Sequence, residues 1–410
     1  MPLIVTPEEM LKEADRCVKC GLCLSVCPTY RLLAHEADSP RGRISLLQAL
    51  ASGELAAGGP LSEHLERCLT CRLCESACPS GVRYGDLMDA GRNLLNRQRA
   101  ARRGWRLLYD LLSERRRLGR WIRVYSWLVR TGLLKLAAWP AAPRWRRLLE
   151  LGSLLSTPRP RIPSLHPARR SEPRVVQLFI GCVASQSEPE LIDSALYLLN
   201  HLGFTVEIPE TQACCGALHR HNGFPERAET MRQANRRQTG NSRAEALITL
   251  ASACHLELLE GKQSQLPVVN LVEFLLGQPA TAWPPIAPLK QRVALHTPCT
   301  AAGDRSLALL QRIPAIEVVE LPENDFCCGA AGSYLFTQPD LSGRLGQPKI
   351  RLLKESGARI LVTGNTGCAL QFRHLIREAS LEVEVLHPAQ LFARQLPLPE
   401  RRLERRAAQG

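Results

Sequence analysis

Acidic residues are scarce in this 410-residue chain: 39 Asp and Glu face 53 Lys and Arg, leaving a net charge of +14. Aromatics are sparse at 5%, yet with 45% hydrophobic and 22% charged residues the composition is globular rather than disordered. No run of about eighteen uncharged apolar residues occurs, which excludes a simple transmembrane helix. Residues 1–15 are polar and acidic and lack the basic and apolar regions of a secretory signal, so a cytoplasmic location is expected. No G-x-G-x-x-G follows a strand-like run and no P-loop is found. Gly329-Ala330-Ala331-Gly332-Ser333 is too short a glycine signal for a nucleotide. Flavin or NAD is therefore expected on another chain. No Ser/His/Asp or paired-carboxylate constellation stands out, which favours electron transfer over bond-making chemistry and leaves no catalytic residue to name. At roughly 150 residues per domain the length predicts two or three domains.

Cysteine is what the chain has in excess, at sixteen. Cytoplasmic thiols are kept reduced, so this number points to metal or redox sites rather than disulfides. Eight precede residue 80, eight follow residue 180, and the gap marks a boundary. The first eight form two copies of one run, Cys17-x2-Cys20-x2-Cys23-x3-Cys27-Pro28 and Cys68-x2-Cys71-x2-Cys74-x3-Cys78-Pro79. This is the bacterial ferredoxin pattern for [4Fe–4S] clusters, in which the fourth cysteine reaches the other cluster. Cys17, Cys20, Cys23 and Cys78 are thus expected on one cubane, and Cys68, Cys71, Cys74 and Cys27 on the second. Zinc, the alternative, prefers paired CxxC knuckles to such runs. Between the motifs, residues 40–50 read as a turn entering a helix, as in an α-helical ferredoxin. Arg41 and Arg43 either sit near the anionic clusters or are solvated.

The second half is duplicated. Strand-like runs lead to Gly181-Cys182 and to Thr297-Pro298-Cys299; further strands precede Cys214-Cys215-Gly216 and Cys327-Cys328-Gly329; a third pair precedes Cys254 and Cys368. The spacings match: Cys182 to Cys214 is 32 and Cys299 to Cys327 is 28, while Cys215 to Cys254 is 39 and Cys328 to Cys368 is 40. β-branched runs alternate with helical patterns at residues 191–202 and 344–355, the sign of a parallel sheet covered by helices. The predicted fold class is α+β multidomain. It comprises an α-helical ferredoxin domain (1–96), a basic Trp-rich helical segment with a Pro-rich linker (97–173), and two duplicated α/β cysteine-rich modules (174–280 and 290–395). Cys182, Cys214, Cys215, Cys254, Cys299, Cys327, Cys328 and Cys368 stand where ligands bind in open α/β folds and form a candidate module site.

The stretch from Arg67 to Tyr84, joined to two Cys-Cys-Gly modules, resembles the iron–sulfur subunits of glycolate oxidases, as do Asp38-Ser39-Pro40-Arg41-Gly42-Arg43-Ile44 and His296-Thr297-Pro298-Cys299-Thr300. The likeness spans nearly the whole chain. It implies a subunit that takes electrons from two flavoprotein partners oxidising glycolate to glyoxylate and passes them towards the respiratory chain. Similar subunits serve glycerol-3-phosphate dehydrogenase, lactate utilisation and heterodisulfide reductase. In the last, each module ends in CxxC; here the stretches are Ala251-Ser252-Ala253-Cys254 and Asn365-Thr366-Gly367-Cys368, one cysteine short. That weakens a disulfide-reductase reading. The modules either hold additional clusters or keep their thiols for structure and docking.

His219, His221, His255 and His296 lie close to module cysteines in sequence, as ligands, proton carriers or outer partners. Residues 97–147 hold fourteen arginines and Lys135 against Asp110 and Glu114, a surplus of thirteen that accounts for nearly the whole net charge. Trp105, Trp121, Trp127, Trp139 and Trp145 share this stretch at helical spacing. A basic tryptophan helix suits an anionic membrane surface, peripherally on the inner face of the cell membrane, or equally a flavoprotein. A solvated helix face is the third reading, and nucleic acid is not expected because no nucleic-acid-binding fold accompanies the charge.

Overall fold

The computed structural model describes residues 6–98, 103–131, 162–168, 174–240, 242–301, 303–324 and 326–397. Trp139, Trp145 and most of the Pro-rich stretch lie outside them. Prolines do much of the local punctuation. Pro7, Pro28, Pro40, Pro189, Pro339 and Pro388 each open a helix, where a missing N–H costs nothing. Thr6 and Glu9 add a reciprocal capping box, and Ser39 Oγ accepts from Gly42 N.

The N-terminal unit is helical: Pro7–Ala14, Pro28–Leu33, Pro40–Ala51, Gly59–Glu66 and Tyr84–Gln98 pack around Met10, Ile44, Leu47, Leu65, Leu87 and Met88. At its centre Asp38 is fully buried, with Oδ1 taking Arg43 at 3.1 Å and Oδ2 taking Arg67 at 3.3 Å and His64 at 3.1 Å. Arg43, 1% exposed, also donates to Thr29 Oγ1 and His64 O. Of the two arginines flagged in the sequence, Arg43 is therefore buried. Arg41 is partly exposed, bonded to Glu36 and to the Lys19 carbonyl.

Two parallel sheets follow. Strands β1 (Leu165–His166), β2 (Arg174–Phe179), β3 (Phe204–Glu207), β4 (Leu247–Thr249) and β5 (Val268–Asn270) lie in the order β1-β3-β2-β4-β5, only β1 running antiparallel. Strands β6 (Arg292–His296), β7 (Glu317–Glu320), β8 (Ile360–Thr363) and β9 (Glu384–Leu386) lie in the order β7-β6-β8-β9, all parallel. Without β1 the two orders are the same, and register fixes the equivalences: Phe179 pairs with Thr249 as His296 pairs with Thr363. One apolar core joins the modules, running from Val176, Leu198 and Leu275 to Leu309, Phe392 and Leu396. The facing edges are laced by Ser252 N to Gly364 O at 3.0 Å and His387 Nε2 to Leu250 O at 2.9 Å.

The basic segment forms two helices, Arg103–Ser113 and Arg115–Arg130. Tyr109, Leu118, Ile122 and Tyr125 turn inward, and Trp105 stacks on Phe336, whereas Leu107, Trp121, Val124 and Trp127 are more than half exposed. No helix among the described residues is long and apolar enough to cross a membrane.

Removing one partner of a buried ion pair strands the other charge, at a cost of about 3–5 kcal/mol. Asp38→Ala should accordingly destabilise the N-terminal helical unit by that amount, read as a lowered urea midpoint. Glu36→Ala, which removes Arg41's exposed partner and one acceptor of the Ser39 hydroxyl, should cost less, about 1 kcal/mol. Circular dichroism of the two variants checks this.

Candidate metal and redox site

The two ferredoxin loops share one backbone path. Lys19 and Gly21 in the first, and Thr70 and Arg72 in the second, occupy matching positions with φ of 55°, 86°, 54° and 61°. Left-handed residues on either side of Cys20 and of Cys71 are the backbone feature of the concave nests that receive anions and iron–sulfur clusters. Thr70 N lies 3.4 Å from Cys68 Sγ. One cavity is lined by Cys17, Cys20, Cys23, Cys74 and Cys78 with Arg41; a second is lined by Cys27, Cys68, Cys71 and Cys74 with Arg43 and Arg72. Cys78 thus lies with the first loop and Cys27 with the second. No carboxylate or imidazole lines either cavity, and a thiolate-only donor set beside arginines fits a soft, anionic iron–sulfur cluster. A single tetrahedral ion would draw its sulfurs to about 3.8 Å of one another. Among the described residues, no three ferredoxin sulfurs lie within 4.8 Å of each other. Burial pushes the Cys71 and Cys74 thiols up, so cluster binding must release their protons.

All eight module cysteines open onto one cavity of about 1180 Å³, which Cys68 and Cys71 also line. Cys182 and Cys299 follow the carboxyl ends of β2 and β6 by three residues, Cys254 and Cys368 lie in the first turn of the helix after β4 and β8, and the adjacent pairs sit in the loops after β3 and β7. Cys182 Sγ is 3.3 Å from Cys214 Sγ, and Cys215 Sγ is 3.6 Å from Cys254 Sγ. The second module repeats these pairings with Cys299–Cys327 and Cys328–Cys368. In each module the first cysteine of the adjacent pair is the one whose thiol pKa is lowered. Hydrogen bonds from Cys182 and Cys215 hold Cys214 well below its ordinary value, and bonds from Cys299 and Cys328 do the same for Cys327. Their partners are pushed up in turn. Lys349, 3% exposed, donates to Glu323 O and places its charge beside Cys327, Cys328 and Cys368; burial lowers its pKa and the thiolates oppose that.

The glycine after each cysteine pair is a steric requirement. Gly216 and Gly329 have φ of 89° and 86°, and a Cβ on Gly329 would stand 2.5 Å from Ser342 O.

The four histidines separate. His219, fully buried, bonds Ser113 Oγ and Asp110 Oδ1 and ties the first basic helix to the first module; burial lowers its pKa and Asp110 opposes that. His221 pairs with Asp89 at 3.0 Å across the ferredoxin boundary. His255 Nδ1 bonds Thr249 Oγ1. His296, bonded through Nδ1 to Thr363 Oγ1 at 3.0 Å, is pushed down to about 3 by burial and by Lys349, hence neutral near pH 7.

The sequence comparisons agree with this geometry. A 4Fe-4S dicluster domain matches residues 13–82, and the Cysteine-rich domain matches residues 176–259 and 293–373. The glycolate oxidase iron–sulfur subunit of Escherichia coli (strain K12) is 32% identical over 86% of this chain and 88% of that protein. This chain belongs to the glycolate oxidase iron–sulfur subunit family. A probable member from Bacillus subtilis (strain 168) is 29% identical over 94% of this chain and 95% of its own length. One subunit of the anaerobic glycerol-3-phosphate dehydrogenase of Escherichia coli (strain K12) is 28% identical over 93% of this chain and 98% of its own length. Family membership thus spans both the dicluster unit and the paired modules.

Gly329→Ala should distort the second module's thiol cluster, costing more than the roughly 1–3 kcal/mol of a strained left-handed residue. Gly303→Ala, at φ 74° but with nothing within 4 Å, should cost only the conformational part. Thermal unfolding and thiol accessibility of the two variants distinguish the two costs.

Proposed function

We propose that this chain is the electron-transfer subunit of a flavin-dependent glycolate dehydrogenase. Two flavoprotein subunits oxidise glycolate to glyoxylate, and this chain carries the electrons towards the respiratory chain. Removing two electrons as a hydride from a 2-hydroxyacid requires a flavin or nicotinamide, whereas four-iron clusters pass electrons singly. The observation that carries the reading is the placement of Cys71. It lies in the second ferredoxin cavity and packs with Cys299 and Cys327 against Leu69 and Tyr334. A ferredoxin-loop cysteine therefore stands beside cysteines of the module cavity, which supports electron passage between the two halves.

Cys17, Cys20, Cys23 and Cys78 would hold one [4Fe–4S] cluster, and Cys68, Cys71, Cys74 and Cys27 the other. Arg41 and Arg43 would offset the anionic charge, Arg43 from within the core. Cys20 is exposed between exposed Val18 and Leu22, a face suited to a flavoprotein delivering electrons. The outer face of the basic helices, with Trp121 and Trp127 beside Arg116 and Arg117, suits an anionic surface, either the inner face of the cell membrane or a partner subunit. Arg115 is excluded from that face, since it is largely buried beside Cys182.

Mixed with its flavoprotein partners, the chain should show glycolate-dependent bleaching of its clusters. Cys71→Ser should abolish electron delivery to an acceptor while flavin reduction by glycolate persists. Reduction by lactate or glycerol 3-phosphate but not glycolate would overturn the substrate assignment. Cys27→Ser should damage the cluster of Cys68, Cys71 and Cys74; loss confined to the Cys17 cluster would overturn the crossed ligation.

Arg116, Arg117 and Arg120 changed to glutamate should abolish salt-sensitive co-sedimentation with anionic vesicles or with the flavoproteins. Unchanged sedimentation with both would leave these helices a solvated surface.

A further inference from the structure

The two modules share a fold and a cysteine set but differ at the floor of their thiol clusters. Strand register makes Phe179 of the first module the counterpart of His296 in the second. Gly216 closes on Ala228 and Gly329 on Ser342; two helical turns further on, Asn235 is the counterpart of Lys349. An apolar ring and a neutral amide in one module thus become an imidazole and an ammonium in the other.

His296 is 1% exposed and its ring is fixed on two sides, by the bond from Nδ1 to Thr363 Oγ1 and by edge-on contact with Phe372 at 4.8 Å between centroids. Nε2 is buried and has no hydrogen-bond partner, an arrangement that is ordinarily unfavourable. Its ligand atom and the sulfurs of Cys328 and Cys368 lie within 4.8 Å of one another. A borderline-soft metal bound at about 2.0 Å to nitrogen and 2.3 Å to sulfur holds tetrahedral ligands roughly 3.5–3.8 Å apart, so a modest inward closure suffices.

We propose that the second module holds a metal centre through His296 Nε2 together with Cys328 and Cys368, a mixed imidazole–thiolate site that the first module, with Phe179 in that place, cannot form. The Thr363 hydroxyl orients the ring as an outer partner does in metal sites, leaving the Nε2 lone pair for the metal. Cys327, adjacent to Cys328 and lining the same cavity, is placed to serve as a further ligand. Lys349 offsets the negative charge that several thiolates bring. One missing module cysteine is in effect replaced by a nitrogen. The shared chemistry suits zinc or iron, and the experiment separates the two. Were the metal part of an iron–sulfur centre, nitrogen ligation would raise its potential above that of an all-thiolate centre, making this module the electron sink beside Cys71.

The test uses the full chain, purified anaerobically and loaded separately with Zn2+ and with Fe2+ plus sulfide. Metal is counted per chain, and the ligands are read by zinc-edge X-ray absorption or by pulsed EPR on protein carrying 15N-histidine. Wild type should bind metal beyond the ferredoxin content with a histidine nitrogen in its coordination sphere. His296→Phe should remove the nitrogen signature and weaken retention by at least about 10-fold, and His296→Cys should restore metal without the nitrogen. His255→Phe, in the first module, should change neither. Absence of histidine nitrogen from wild type with both metals overturns the proposal whether or not the variants fold, as does unchanged ligation in His296→Phe. The electron-transfer reading survives either result, since ferredoxin iron is counted in the same samples.

Discussion

Holding thiolates and their metals away from water is the constraint around which this protein is built. A buried anion is tolerated only where fixed donors or cations meet it. Arg43 is the plainest case: burial works against its charge, yet Tyr84, Cys68, Cys27 and Asp38 hold it protonated. Asp38 keeps the guanidinium in place and is itself the anchor of Arg67 and His64. The same ion pair therefore sets the packing of the helical unit and the electrostatics of the second cysteine loop. In the modules the task passes to Lys349, to the Gly216 N–H near Cys214 Sγ, and to first-turn positions such as Cys254 and Cys368.

The junction between the halves follows the same logic. Arg92 donates to Leu65 O and Cys68 O within the ferredoxin unit and to His221 O in the first module. Arg220 meets Asp89 and Glu257, and Arg72 bridges Glu75 and Glu260. On the other side Arg31 covers the Phe326 ring at 3.9 Å. These contacts bring the second ferredoxin loop to the wall of the module cavity, where a sulfur ligand can stand beside Cys299 and Cys327.

Much of this was legible because cysteine spacing is geometry. Two residues between ligands dictate a tight loop, and the repeated run predicts the repeated φ pattern at Lys19, Gly21, Thr70 and Arg72. The duplication was equally plain, since strand, cysteine and glycine recur in order. The last strand of each module escaped notice: Val268–Asn270 and Glu384–Leu386 are three residues long and carry no cysteine to mark them. The inward face of the basic helices was hidden for a different reason. Composition advertised the arginines and tryptophans, but Tyr109, Leu118, Ile122 and Tyr125, which cover the cavity, look like any helical apolar stripe.

His296 shows where periodicity runs out. In sequence it is one of four histidines near module cysteines, and its place in the stretch His296-Thr297-Pro298-Cys299-Thr300 does not say what its ring meets, any more than the sequence says that His219 bonds Asp110 or His221 bonds Asp89. The difference is tertiary. Those two find carboxylates on neighbouring elements, whereas His296, at the end of β6, has one nitrogen satisfied by a threonine on β8 and the other buried without a hydrogen-bond partner, in a ring close to two cysteine sulfurs. The signal was present only as a comparison between the two copies: once β2 and β6 are aligned on their cysteines, a phenylalanine faces a histidine. Duplicated modules that keep every thiol and exchange the residues beneath them surround matched cysteines with different groups, an imidazole and an ammonium in one where the other has an aromatic ring and an amide.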